Sequence, residues 1–217
     1  FTPLNLPGAV DVMRYKVQIY IENVPPFGNT NYTVKTGYEY AGETGGPALE
    51  NEYLKVTFAG DKVNIFDKVN EVEYEDCLWF EDLGDWGNSY VFQPCEGDSP
   101  IKAKLDSIET VYANKLKSAV CLEYTLNIPF ELDGQKRGGD IIENKIWVTL
   151  SLGKGEKALS VDVKYQNKAK YHLTKAVINT GIDNTESYAS SVFDIIKRDT
   201  KDTIREIRTN MGEPVNG

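Results

Sequence analysis

The segment Glu71 to Asp85 (EVEYEDCLWFEDLGD) holds the densest set of groups able to do chemistry. Glycosidases need paired carboxylates, one as acid and one as nucleophile or base. Glu81, Asp82 and Asp85 are close enough in sequence to supply such a pair. Trp79, Phe80 and Trp86 could wall a sugar by stacking. The competing reading is an acidic, aromatic-rich loop whose carboxylates hold its own turns through side-chain to backbone hydrogen bonds. The residues alone admit both.

His172, in AKYHLT, is the single histidine of the chain. On a regular strand it lies on the face opposite Leu173 and Val177. A zinc site with two or more histidine ligands cannot be built, nor can a paired-histidine acid/base site. A lone strand histidine reads first as a satisfied structural residue. Asn31-Tyr32-Thr33 matches an N-glycosylation sequon, which matters only in a secreted eukaryotic protein. Gly37, Gly42, Gly45 and Gly46 fit neither GxGxxG nor the Walker pattern, so no phosphate loop is legible.

The three cysteines are Cys77, Cys95 and Cys121. An odd count without CxxC argues against a disulfide framework and points to buried thiols in a reducing, cytoplasmic compartment. The net charge is −9, and the pI lies near 4.8. Binding of nucleic acid or an anionic membrane runs on clustered Lys and Arg, so neither is expected as a partner. Lysines 154, 157, 164, 168, 170 and 175 interleave with strand residues and read as solvated faces and protected edges. No apolar stretch approaches the roughly 20 residues of a membrane span. The sequence opens FTPLNLPG, without Met or signal-peptide pattern, and reads as cut from a longer polypeptide.

The elements that must position these groups are strands. Period-two alternation runs through Val12–Ile21, Ser118–Ile128, Ile142–Leu152 and Leu159–Tyr165. Shorter strands are expected at Tyr53–Phe58, Lys62–Phe66, Tyr90–Gln93, Ser107–Ala113, Tyr171–Asn179 and Val192–Lys197. Asp133-Gly134 with Gly138-Gly139, Gly153-Lys154-Gly155 and Gly60-Asp61 read as the turns between them. Thr200–Asn210 has only Ile204 and Ile207 in helical spacing and reads as irregular or one short turn. The fold class is therefore all-β, a sandwich with large antiparallel sheets. The Gly-rich stretch Gly42–Pro47 suggests a boundary, with residues 1–43 in one segment and 44–217 in the other. The first segment has too few strands to stand alone.

Several segments, in order, resemble the C-terminal β region of family 38 α-mannosidases. They are LENEYLKVTF (49–58), IFDK (65–68), FEDLGDWGNSYVFQP (80–94), HLTK (172–175) and VFDIIKR (192–198), with FTPL (1–4) resembling the start of a preceding small β segment. The block from Phe80 to Pro94 is the specific one. The resemblance is closest to bacterial members, which act on small mannosides or oligosaccharides. It implies a large antiparallel β supersandwich of galactose-mutarotase type, C-terminally incomplete here, preceded by a few strands of a small β-sandwich. It implies a parent enzyme, a retaining zinc-dependent α-mannosidase. The zinc ligands and nucleophile would lie in an N-terminal catalytic domain outside this chain. This chain would hold no cofactor and be inactive alone, bracing that domain as its partner.

The same resemblance assigns one site residue. Tyr90, in GNSYVFQP, matches a family tyrosine that reaches from the β region to the bound mannoside. Asp82 and Asp85 are then expected to shape the turn that presents it. The other reading of Tyr90 is a core tyrosine on a short strand. At His172 the family's flanking Asp and Arg are replaced by Tyr171 and Lys175, which departs from the family pattern. The alternative function is a stand-alone carbohydrate-binding sandwich using Trp79, Trp86 and Tyr90. A mutarotase-like epimerase would need a second histidine.

Overall fold

A computed structural model of the chain describes residues 17, 19–21, 24–33, 47–88 and 90–199. The chain divides into two compact units, Phe1–Ala41 and Gly42–Gly217. In the first, the Gly28 N–H donates to the Pro25 carbonyl at 3.0 Å, closing a tight turn with Phe27 at φ 57°. The strand expected over Val12–Ile21 falls largely outside the described residues, and Val17 and residues 19–21 are not in a strand. The turn expected within Thr200–Asn210 also lies outside them.

The second unit is built from strands alone among the described residues. In order they are β1 (Leu49–Glu50), β2 (Leu54–Ala59), β3 (Lys62–Asp67), β4 (Val72–Tyr74), β5 (Leu78–Gly84), β6 (Ile101–Lys102) and β7 (Lys104–Ala113). Then follow β8 (Lys117–Asp133), β9 (Lys136–Gly153), β10 (Ser160–Gln166), β11 (His172–Ile178), β12 (Glu186–Ser191) and β13 (Asp194–Asp199). They pair antiparallel in the orders β1-β2-β3-β4, β10-β9-β8-β7, β11-β5-β6 and β12-β13.

The long hairpin β8–β9 is the platform. Its alternation sends Val120, Leu122, Tyr124, Leu126 and Ile128 from β8, with Ile146, Val148, Leu150 and Leu152 from β9, into one core. Leu49, Val56 and Val63 of the first sheet and Leu78 and Phe80 of β5 pack against them. Phe80 meets Tyr124 edge-on at 5.3 Å. Burial pushes the Tyr124 phenol up to about 12, with the Asp76 and Asp61 carboxylates adding to it. The Cys77 N–H donates to the Val63 carbonyl at 2.7 Å, tying the start of β5 to β3. The result is a two-layer antiparallel sandwich.

Four local expectations differ from the structure. Residues 90–93 form the far side of a turn, not a strand. Val192 and Phe193 form the turn between β12 and β13, with Phe193 at φ 69°, so the expected strand is interrupted at its start. Gly138-Gly139 lies inside β9, where the register slips opposite Pro129–Glu131; the reversal itself needs only Asp133–Lys136 with Gly134 at φ 63°. The segment that admitted an acidic-loop reading instead holds strands β4 and β5, and β5 is buried at alternate positions. Its pattern was masked because Asp82 takes an inner position while Trp79 and Leu83 take outer ones.

Candidate functional site

Strand β5 ends at Gly84 and the chain turns sharply. Asp85 Oδ1 accepts the N–H of Gly87 and of Gln93, both at 2.9 Å. The Trp86 N–H donates to the Gln93 carbonyl at 3.0 Å, and Asn88 and Val91 exchange backbone bonds at 3.0 and 3.3 Å. Asn88 Oδ1 accepts the N–H of Tyr90 at 2.9 Å and of Val91 at 3.1 Å. Gly87 is required, because a Cβ there would stand 1.9 Å from the Val91 carbonyl oxygen. These bonds make the described residues of this stretch, 85–88 and 90–94, a small braced turn.

Tyr90 stands at its tip, 89% exposed. Trp86 lies at its base, 38% exposed, with its indole N–H donating to the Pro94 carbonyl at 3.1 Å. A phenol and an indole so placed can stack on sugar C–H faces and offer one directed hydrogen bond. Asp85 sits in the turn. Asp82 does not: it lies two residues before the end of β5, completely buried.

The carboxylates do not assemble as a hydrolytic pair. Glu81 and Asp82 are strand neighbours and point to opposite faces of β5, so they cannot act on one bond. Asp85 is occupied by two backbone N–H groups. The aromatic wall also separates: Phe80 is in the core, while Trp79 lies on the outer face under Lys102, 5.3 Å from its ring.

Asp82 is instead the centre of a polar network. Its Oδ1 accepts Arg137 Nη1 at 2.9 Å, and its own backbone carbonyl accepts Nη2 at 2.7 Å. Its Oδ2 accepts the Thr174 hydroxyl at 2.7 Å and faces His172 Nδ1 at 2.6 Å. The other ring nitrogen, Nε2, lies 3.0 Å from Asn167 Oδ1. Arg137 Nε donates to Asp98 Oδ2 at 2.9 Å, and the same oxygen accepts the Gly84 N–H at 2.7 Å. His172 and Thr174 reach Asp82 because β11 pairs with β5 in the register His172–Gly84 and Thr174–Asp82. Arg137, Asp98, Thr174 and Asn167 carried no signal in the sequence. Nothing local marks a partner lying 55 residues away.

A groove of about 320 Å3 opens beside this network, lined by Phe80, Ile146, Val163, Tyr165, His172 and Thr174 among others. Burial raises the Tyr165 phenol above its ordinary value and the Asp82 carboxylate adds to it, against a lowering bond from Thr174. No three of His, Cys, Asp and Glu are grouped to hold a metal ion among the described residues. Both nitrogens of the one histidine already face protein acceptors, so the described residues do not fit a zinc centre.

The described strands thus form an all-β, antiparallel sandwich that presents a tyrosine on a braced turn. The sequence profile of the glycosyl hydrolases family 38 C-terminal domain matches residues 49–214, and the chain belongs to that family. A protein from Halalkalibacterium halodurans named "Putative mannosylglycerate hydrolase" is 28% identical over 181 residues, covering 74% of this chain and 20% of its own. The crystal structure of an alpha-mannosidase from Enterococcus faecalis V583 shares the fold with a TM-score of 0.66 at 21% identity, over 70% of this chain and 20% of its own. A second Enterococcus faecalis structure, a protein in glycosyl hydrolase family 38, gives the same TM-score and identity over 70% and 21%. The chain thus spans about a fifth of the length of these relatives.

Proposed function

We propose that the chain is the non-catalytic β domain of a longer glycosidase that cleaves α-mannosides, and that Tyr90 forms part of the wall of its sugar pocket. The observation that carries this is Tyr90 itself: a fully presented phenol on a turn braced by Asp85 and Asn88. Such a side chain is idle in an isolated sandwich but suits a pocket whose other wall comes from a partner domain. Family membership and the one-fifth span support the same reading, as do two of the three relatives, one named a mannosylglycerate hydrolase and one an alpha-mannosidase. Hydrolysis, and the zinc that the family resemblance implies, belong to the partner domain. Three free cysteines support a cytoplasmic location, and among the described residues no helix is long and apolar enough to cross a membrane.

The test begins with the intact mass of the natural polypeptide carrying this sequence. A mass several times 24.4 kDa is expected. In that polypeptide Tyr90→Ala lowers kcat/KM for 4-nitrophenyl α-mannoside by roughly tenfold, the loss of about one good contact. A natural mass near 24.4 kDa, with saturable sugar binding lost in Tyr90→Ala, would establish the free carbohydrate-binding module instead.

A further inference from the structure

We infer that Arg137 is the positioning residue of the Tyr90 turn; the inference rests on the reading of Tyr90 as a sugar contact. The turn has two stems. One is Gly84, the last residue of β5; the other runs from Pro94 through Cys95 to Asp98. Both converge on one guanidinium. Arg137 Nε donates to Asp98 Oδ2 at 2.9 Å, and that oxygen accepts the Gly84 N–H at 2.7 Å. Nη1 and Nη2 grip the Asp82 carboxylate and carbonyl at 2.9 and 2.7 Å, fixing β5 just before it turns.

The surrounding backbone is tied to the same point. The Cys95 N–H donates to the Gly84 carbonyl at 3.3 Å, and the Glu96 N–H to the Gln135 carbonyl at 2.9 Å. Arg137 follows Gln135 by two residues, so the turn of the β8–β9 platform and the outgoing stem are tied to each other beside the guanidinium. Gly84 leaves the space that this needs. A Cβ there would stand 2.6 Å from Cys95 Sγ and 2.9 Å from Arg137 Cγ. The arrangement uses the planar fork of arginine. A lysine ammonium is a single point and cannot hold Asp98, the Asp82 carboxylate and the Asp82 carbonyl together.

A purely structural ion pair would have the same distances, so the test must read Arg137 through Tyr90. Kinetics on 4-nitrophenyl α-mannoside are measured for the natural polypeptide and for its Tyr90→Ala, Arg137→Lys and doubly substituted forms. Arg137→Lys is expected to lower kcat/KM on the order of tenfold, chiefly through KM, since a displaced contact costs binding geometry. In the Tyr90→Ala background the same substitution is expected to cost less than about twofold, because the contact it positions is already gone. Equal losses in both backgrounds, or no loss in the first, overturn the inference and leave the Tyr90 reading intact. No hydrolysis, or no effect of Tyr90→Ala, removes that reading and the inference with it. If Arg137→Lys does not fold, Asp98→Asn, which keeps an acceptor oxygen for Gly84, passes through the same cycle with the same deciding outcomes.

Discussion

His172 Nδ1 lies 2.6 Å from Oδ2 of Asp82, although the two are 90 residues apart in sequence. The pairing of β11 with β5 creates this contact, and Asp82 shares it with Thr174 and Arg137. A completely buried carboxylate is tolerable only with such partners, because an unpaired charge in the interior is strongly disfavoured.

Asp82→Ala is therefore expected to lower the unfolding free energy by about 3 kcal/mol, since it removes the buried carboxylate that Arg137, His172 and Thr174 share, although Arg137 keeps Asp98. Urea unfolding of the purified chain measures this. A loss under about 1 kcal/mol would mean that the network contributes little to stability.

Asn51 joins β1 and β2 to the far end of β9. Its amide N–H groups donate to the Gly153 and Glu156 carbonyls at 2.8 and 2.7 Å, while Oδ1 accepts the N–H of Tyr53 and Leu54, both at 2.9 Å. Asn51→Ala is expected to cost about 1–2 kcal/mol, and Asn51→Asp to fail to restore it because the two carbonyls would then face a carboxylate. Equal stability of wild type and Asn51→Ala in the same unfolding assay would overturn this.

All three thiols are held above their ordinary value, in each case mainly by burial. Asp76 adds to the effect at Cys77, Asp98 at Cys95, and Glu109 with Glu123 at Cys121. A raised value means a smaller thiolate fraction at mildly alkaline pH, and the thiolate is the reacting species. Each native thiol should react with a disulfide reagent more slowly than free cysteine, and all three should become fast in denaturant. A native thiol reacting at the free-cysteine rate would contradict the burial argument.

The Asp106 carboxyl is held below its ordinary value of 3.8, first by the Thr125 hydroxyl and then by Lys145 Nζ at 3.2 Å. A depressed folded value contributes stability above the unfolded value, and that contribution is lost as pH falls through the folded one. Asp106→Asn should thus destabilise the chain at neutral pH, with the difference from wild type shrinking below about pH 4. Urea midpoints at neutral and acidic pH read this directly; a difference that grows on acidification would refute the sign.

The strands that were legible are those with one apolar face. In β8, residues 120, 122, 124, 126 and 128 alternate cleanly because one side meets the core and the other meets solvent or small polar neighbours. Strand β5 was illegible for the opposite reason. A buried Asp82 interrupts its inner face, and Trp79 and Leu83 occupy its outer one. Strand β10 was legible as a strand but not in its burial: Val161 and Val163 are both 46% exposed, because β10 pairs only with β9 at the sheet edge.

The same division applies to the site. Asp85, Gly87, Asn88 and Tyr90 sit within a few residues of one another and the bonds of this turn are local, yet residues 90–93 read as a strand and only the family resemblance implied a turn there. Alternation is also local, and with it the all-β class. Which acid is buried, which arginine meets it and which face of β11 carries His172 inward depend on strand pairing across 55 to 92 residues. Pairing is chosen by the summed burial of whole sheets, and no short window of sequence contains that sum.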